Sequence, residues 1–153
     1  MQHTLKASFS LQGKGLHTGL QLSITFLPAP VDYGYKIQRV DLEGQPYIIP
    51  LAENVIDTSR GTVVGTPECR VSTIEHAMAA LVALGVDNCL IQINGPEFPI
   101  LDGSSILYVE QILKVGLEEQ DAPRRYIEIT EPFEYYDEIS GSCLRVQPAD
   151  RFA

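Results

Sequence analysis

The stretch 71-VSTIEHAMAALVALG-85 decides how this chain is read. Residues 72–84 carry a helical period, whereas the residues before them alternate as strands do. With Ile74 set at zero and a turn of about 100° per residue, Ala77, Met78, Leu81 and Val82 fall in one broad apolar stripe. That stripe is expected to pack on a sheet. The other side holds Glu75, His76, Ala79, Ala80 and Ala83. A solvent-facing side would carry Lys, Glu, Gln or Arg, so small residues there imply that a second body packs closely against it.

Upstream, the first fifty residues read as strands. Leu20, Leu22, Ile24 and Phe26 alternate with Gln21, Ser23 and Thr25, and Pro28 and Pro30 end the run. RGTVVGTPECRVS (60–72) reads as a hairpin turning at Gly65 to Pro67. Downstream, DNCLIQING (87–95) is a strand, GPEFPILDGSS (95–105) a loop, and SSILYVEQILKVGLEEQ (104–120) a second helix, with Gly116 suited to its C-cap. In that helix Ile106, Val109 and Leu113 form one stripe, and Leu107, Tyr108, Ile112 and Val115 spread apolar surface round most of the rest. The expected fold class is α+β: a two-layer sandwich with a mixed, mostly antiparallel sheet and both helices on one face. The tail 126-YIEITEPFEYYDEISGSCLRVQPAD-150 repeats the pattern of 4-TLKASFSLQGKGLHTGLQLSITFLPAP-30: strand, glycine-containing turn, strand, Pro-Ala. Any two hairpins share such a pattern. The alternative is that residues 1–122 form a first domain and 123–153 begin a second, similar one. The ending Arg151-Phe152-Ala153, with no polar tail, suits a truncated chain.

Composition bounds the function. The chain has 153 residues, 44% hydrophobic and 20% charged, which suits a folded domain rather than a disordered one. A formal net charge of -9 disfavours nucleic-acid binding but leaves room for a local basic site that takes a phosphorylated small molecule. Cys69, Cys89 and Cys143 are odd in number and widely spaced, as expected of reduced thiols in a cytoplasmic protein. No apolar run is long enough to form a transmembrane segment, and MQHTLKASFS lacks a signal core.

Glu75 and His76 are the candidate chemical groups. Ser72-Thr73-Ile74-Glu75 fits a capping box, in which Glu75 is only a cap. An imidazole in the first turn opposes the helix dipole, which favours its neutral, metal-binding form. Side by side, a carboxylate and an imidazole can serve as general base and metal ligand of a hydrolase. A catalytic zinc needs about three protein ligands, however, and the chain offers only His3 and His17 besides His76.

Several segments together resemble one family, the zinc-dependent UDP-3-O-acyl-N-acetylglucosamine deacetylases of bacterial lipid A synthesis. They are GKGLHTG (13–19), LPAPVDYGYKIQRVDL (27–42), AENVIDTSRGTVV (52–64), RVSTIEHAMAALVALGVDN (70–88) and GPEFPILDGSS (95–105), spread over residues 3–122. The resemblance implies two similar α+β domains whose helix layers face each other across the active site, this chain being the N-terminal one. It implies that Glu75 is the general base and His76 one of three ligands to Zn2+. The remaining ligands, a second catalytic histidine and the acyl-chain lining would lie in the second domain. Thr58, Ser59, Arg60 and Gly61 match a loop near the substrate, and Asp102 matches a carboxylate near the interface. Asp102 also suits a turn or N-cap ahead of the second helix. The chain departs from the family at Ser59, Arg60 and Gly61, where many relatives have bulky apolar residues and a cysteine. His17, in the GLHTG turn, reads as structural.

The implied activity is removal of the N-acetyl group from UDP-3-O-acyl-N-acetylglucosamine, with the isolated chain inactive. Some family members continue into a fused dehydratase. Two other classes stay open: a non-catalytic module that self-associates through its helix face, and a thiol enzyme using Cys69 or Cys89.

Overall fold

A computed structural model describes residues 1–150, so Arg151-Phe152-Ala153, on which part of the truncation reading rests, lie outside the described residues. The centre of the fold is a five-stranded sheet in the order β2-β3-β9-β4-β5, formed by β2 (Phe9–Lys14), β3 (Gln21–Pro28), β9 (Cys89–Ile93), β4 (Tyr35–Arg39) and β5 (Tyr47–Ile48). It is mixed: β9 runs antiparallel to β3 and parallel to β4. Alternation makes it two-faced. Ile24 lies opposite Ile93, Phe26 opposite Ile91, and Ile91 opposite Ile37, all buried. On the other face Leu27 lies opposite Leu90, and polar side chains bond across strands, with Ser10 to Thr25 at 2.8 Å and Gln92 to Gln38 at 2.8 Å.

The apolar face shares one core with two helices, α1 (Glu75–Ala83) and α2 (Ile106–Val115). Phe26 stacks on Phe9 at 4.8 Å and meets the Tyr108 ring of α2 edge-on at 5.8 Å. Smaller sheets complete the molecule. Strand β1 (Gln2–Leu5) pairs with β10 (Leu117–Gln120), so the start of the chain is held by a strand from far along it. Strands β6 (Val55–Asp57), β7 (Val63–Gly65) and β8 (Arg70–Ser72) form a three-stranded sheet that leads into α1. A hairpin of β11 (Phe133–Tyr136) and β12 (Cys143–Val146) stands as its own two-stranded sheet.

Several expectations are corrected. Residues 117–120 are strand, not helix: α2 stops at Gly116, whose N–H bonds Ile112 O at 2.9 Å, and the chain then turns out to pair with β1. Helix α1 starts at Glu75 rather than 72, because Ser72 still pairs as strand with Val63 and Thr73 has φ +60°. At its other end Gly85 takes φ +77°, and Val86 N–H closes back on Leu81 O at 3.0 Å. The buried stripe of α1 is also rotated. Ala77, Ala80 and Leu81 are buried, whereas Val82 is 66% exposed. In α2 the buried residues are Tyr108 and Ile112, while Ile106 and Leu113 are exposed. The outward surface of the helices therefore carries Ala79, Val82, Ala83, Ile106 and Leu113. The hairpin expected at 60–72 forms between β7 and β8, with its loop at residues 66–69.

Neighbouring residues on α1 should respond very differently to truncation. Leu81 is fully buried, so Leu81→Ala should cost about 3 kcal/mol in denaturant unfolding. Val82→Ala should change stability by less than ~0.5 kcal/mol. Equal losses at the two positions would contradict this placement of the helix.

Candidate functional site

The capping box does not form. Ser72 Oγ donates to Pro96 O at 3.3 Å, and no side chain caps α1. Glu75 instead turns across to the β6–β7 loop, where its Oε2 accepts from Thr62 N–H at 3.2 Å. Gly61 takes φ +139°, and a Cβ there would lie 3.1 Å from Glu75 Oε1. Glycine thus serves twice, by reaching a conformation side chains avoid and by leaving room for the carboxylate. His76 follows directly, partly buried, and its ring makes no hydrogen bond among the described residues.

What holds this loop is a carboxylate that the sequence reading did not single out. Glu97 is 0% exposed. Its Oε1 accepts from His17 N–H at 2.9 Å and from the Thr73 hydroxyl at 3.4 Å. Its Oε2 accepts from Thr18 N–H at 2.9 Å and from the Thr18 hydroxyl at 2.7 Å. Gly15 is packed so tightly here that a Cβ would fall 2.3 Å from Glu97 Oε2. Backbone bonds seat Glu97 beside β8: Ser72 N–H donates to Pro96 O, and Phe98 N–H to Ser72 O, both at 3.0 Å. Burial by itself would raise the Glu97 pKa, but the donors from His17 and Thr18 outweigh it and hold the carboxyl below its usual value. The available signal was an acidic residue between two prolines in a motif already quoted, GPEFP.

The His17 ring extends the network, its Nε2 donating to Arg60 O at 3.0 Å, which requires the proton on that nitrogen. Thr73 N–H donates to Thr62 O at 3.1 Å. The β2–β3 turn, the β6–β7 loop, the 96–98 segment and the start of α1 are thus tied together. Between the β2–β3 turn and the three-stranded sheet with its β6–β7 loop opens a cavity of about 300 Å³, lined among others by His17, Ser59, Arg60, Gly61 and Arg70.

Of the remaining candidates, Thr58 is exposed on the same loop, and Ser59 is held to Asp57 by its N–H at 3.0 Å and its hydroxyl at 3.1 Å. Asp102 lies elsewhere, ahead of α2. It accepts from Ser104 N–H and hydroxyl at 3.0 Å, while Ser104 Oγ accepts from Ile106 N–H at 3.1 Å. Leu101 just before it has φ +54°, as Thr73 does ahead of α1, so each helix is entered through a strained residue. Among the described residues no three His, Cys, Asp or Glu side chains gather as a metal site. Burial pushes the Cys89 thiol up to about 12, so it is protonated and unsuited to nucleophilic work. No helix is long and apolar enough to cross a membrane.

The family model described as UDP-3-O-acyl N-acetylglycosamine deacetylase, LpxC, matches residues 2–153. The chain is 59% identical over 152 residues to a bifunctional enzyme LpxC/FabZ of Bacteroides thetaiotaomicron, covering 99% of this chain and 33% of that protein. It is 61% identical over 151 residues to the one of Porphyromonas gingivalis, covering 99% and 33%. Against a UDP-3-O-acyl-N-acetylglucosamine deacetylase of Phenylobacterium zucineum it is 46% identical over 153 residues, covering 99% and 52%. The chain thus spans a third to a half of the length of these relatives.

Glu97→Ala would leave buried donors of His17 and Thr18 unpaired and should cost about 3 kcal/mol. The depressed pKa also sets a pH dependence. The stability that Glu97 contributes is present above its ordinary value of 4.5 and is lost as pH falls through the lower folded value. Glu97→Gln should therefore lower stability at neutral pH and flatten the acid limb of the stability curve. An acid limb identical to wild type would show that Glu97 is not the titrating staple.

Proposed function

The chain belongs to the LpxC family of UDP-3-O-acyl N-acetylglycosamine deacetylases, and from that premise we propose that it is the N-terminal part of an amide hydrolase that removes the N-acetyl group from UDP-3-O-acyl-N-acetylglucosamine in the cytoplasm. One observation carries the assignment of roles. Glu75 is released from capping and held against Gly61 and Thr62, beside an imidazole that makes no hydrogen bond among the described residues.

In this reading Glu75 takes the proton from the attacking water, and Thr62 N–H orients its carboxylate. Thr58, Ser59, Arg60 and Gly61 contact the substrate from the β6–β7 loop, and Asp102 does so from the start of α2. His76 would hold Zn2+, and the chain's donors suit that role only in part: its ring makes no hydrogen bond among the described residues, but a catalytic zinc takes about three protein ligands. The other ligands therefore come from outside this chain. When bound, zinc polarises the acetyl carbonyl and acidifies water.

We further propose that residues 1–122 are the first of two similar domains, a two-layer sandwich with both helices on one face of its sheet, and that 123–153 begin the second. Support comes from strand pairing. In the first unit β1 is completed by β10, a strand more than a hundred residues later. Residues 126–130, in the place matching β1, have no strand partner among the described residues, and Ile127 is 93% exposed. The β11–β12 hairpin that follows corresponds to β2–β3. The second domain would cover Val82, Leu113 and their neighbours. Those same exposed residues favour one other reading, in which the chain alone dimerises through its helix face.

In the complete protein, Glu75→Ala should lower deacetylation by roughly 10²- to 10⁴-fold while zinc content stays unchanged. Normal acetate release by that variant would refute the role of Glu75. The 153-residue chain alone should release no acetate and bind zinc weakly. Tight, stoichiometric zinc that vanishes in His76→Ala would mean that the ligand set is completed in this chain or by its dimer. Size-exclusion across a dilution series tells those two apart.

A further inference from the structure

Six arginines lie among the described residues, and four of them pair with a carboxylate. Arg39 meets Asp41 and Arg124 meets Asp87, each at 2.7 Å, Arg125 meets Asp32 at 3.3 Å, and Arg145 meets Glu134 at 2.5 Å. The two without a carboxylate partner, Arg60 and Arg70, both line the cavity of about 300 Å³ beside Glu75. In a chain of net charge -9, acidic groups are plentiful, and yet neither guanidinium has taken one.

We propose that this cavity binds a phosphoryl anion through Arg60 and Arg70. Guanidinium groups offer paired N–H donors that match phosphate oxygens, and a concave site concentrates their field. Arg60 sits on the β6–β7 loop and Arg70 opens β8, opposite Gly65, so the three-stranded sheet brings both to one opening. The Ser59 and Ser72 residues that share the lining carry hydroxyls. Asp57 also lines the cavity and feels the Arg70 charge, but its carboxylate accepts from the Ser59 N–H and hydroxyl, and the Glu75 carboxylate beyond Gly61 accepts from Thr62 N–H, so both nearby anions are already engaged. Two sources could supply the phosphoryl group: the diphosphate of a nucleotide sugar, or free phosphate. The nucleotide source rests on the deacetylase reading, because Gly61 belongs both to this lining and to the seat of Glu75. The anion site itself does not depend on that reading.

The test is a titration of the 153-residue chain with inorganic pyrophosphate and, separately, with UDP, followed by amide and arginine side-chain NMR. Saturable shifts at Ser59 to Gly61 and at the Arg60 and Arg70 side chains are expected. Arg60→Gln and Arg70→Gln should each weaken binding about tenfold, or ~1.4 kcal/mol, and Arg145→Gln should leave it unchanged. Both target residues are exposed and their side chains make no hydrogen bond among the described residues, so the variants should melt as the wild type does. Arginine-dependent binding of UDP as well as pyrophosphate identifies the nucleotide source, and binding of pyrophosphate alone identifies free phosphate. No saturable shift with either probe, or equal affinity in the Arg60→Gln/Arg70→Gln double variant, overturns the site. No catalysis is read, so the outcome stands apart from the fate of the deacetylase assignment.

Discussion

A buried charge has to be matched, and in this protein that requirement organises the site. Glu97 is removed from water, and an unpaired carboxylate there would cost several kcal/mol. Its partners are two backbone N–H groups and two hydroxyls, drawn from the β2–β3 turn and the residue entering α1. None of these segments is near Glu97 in sequence. Satisfying one side chain therefore fixes where the turn, the 96–98 segment and the helix start sit relative to one another. The His17 ring carries the constraint one step further, onto the carbonyl of Arg60.

The position of Glu75 follows from that frame. Thr73 is held in a left-handed conformation by its N–H bond to Thr62 O and its contact with Glu97, and the strain there costs of order 1–3 kcal/mol. The bend sends the chain into α1 with Glu75 as its first residue, directed at the loop and not back at its own backbone. Strain of this kind persists only where surrounding bonds over-determine it. The same device recurs at Leu101 ahead of α2. The start of α1 is thus positioned by tertiary contacts and not by a local cap, whereas ahead of α2 Asp102 and Ser104 are held by bonds within their own turn.

The surface of the helices shows a second unmet requirement. Val82 and Leu113 are each 66% exposed, and alanines fill the space around Val82. Small residues permit a close approach, and exposed branched ones provide apolar area to bury once approached. The segment 126–130, which has no strand partner among the described residues, belongs to the same pattern. Both leave apolar groups uncovered among the described residues, as the proposed two-domain reading requires.

Much of this was determined by the sequence alone. The change of period near residue 72, the alternation in β3 and β9, and Gly116 as a helix stop are local signals, and they dictated an α+β chain with two helices. The family was legible because its motifs are long and ordered, and the adjacency of Glu75 and His76 is covalent. Tertiary structure decided the rest. On α1, periodicity placed Val82 in the buried stripe and Ala80 on the opposite side, and packing reversed the two. Residues 117–120 read as helix until β1, more than a hundred positions away, supplied their hydrogen bonds. Ser72 and Glu75 spell a capping box, but Ser72 was claimed by a strand and by Pro96, so the box never closed. Glu97 left only a faint trace, an acidic residue between two prolines, because a buried carboxylate is recognised by its donors, and those come together only when the chain is folded.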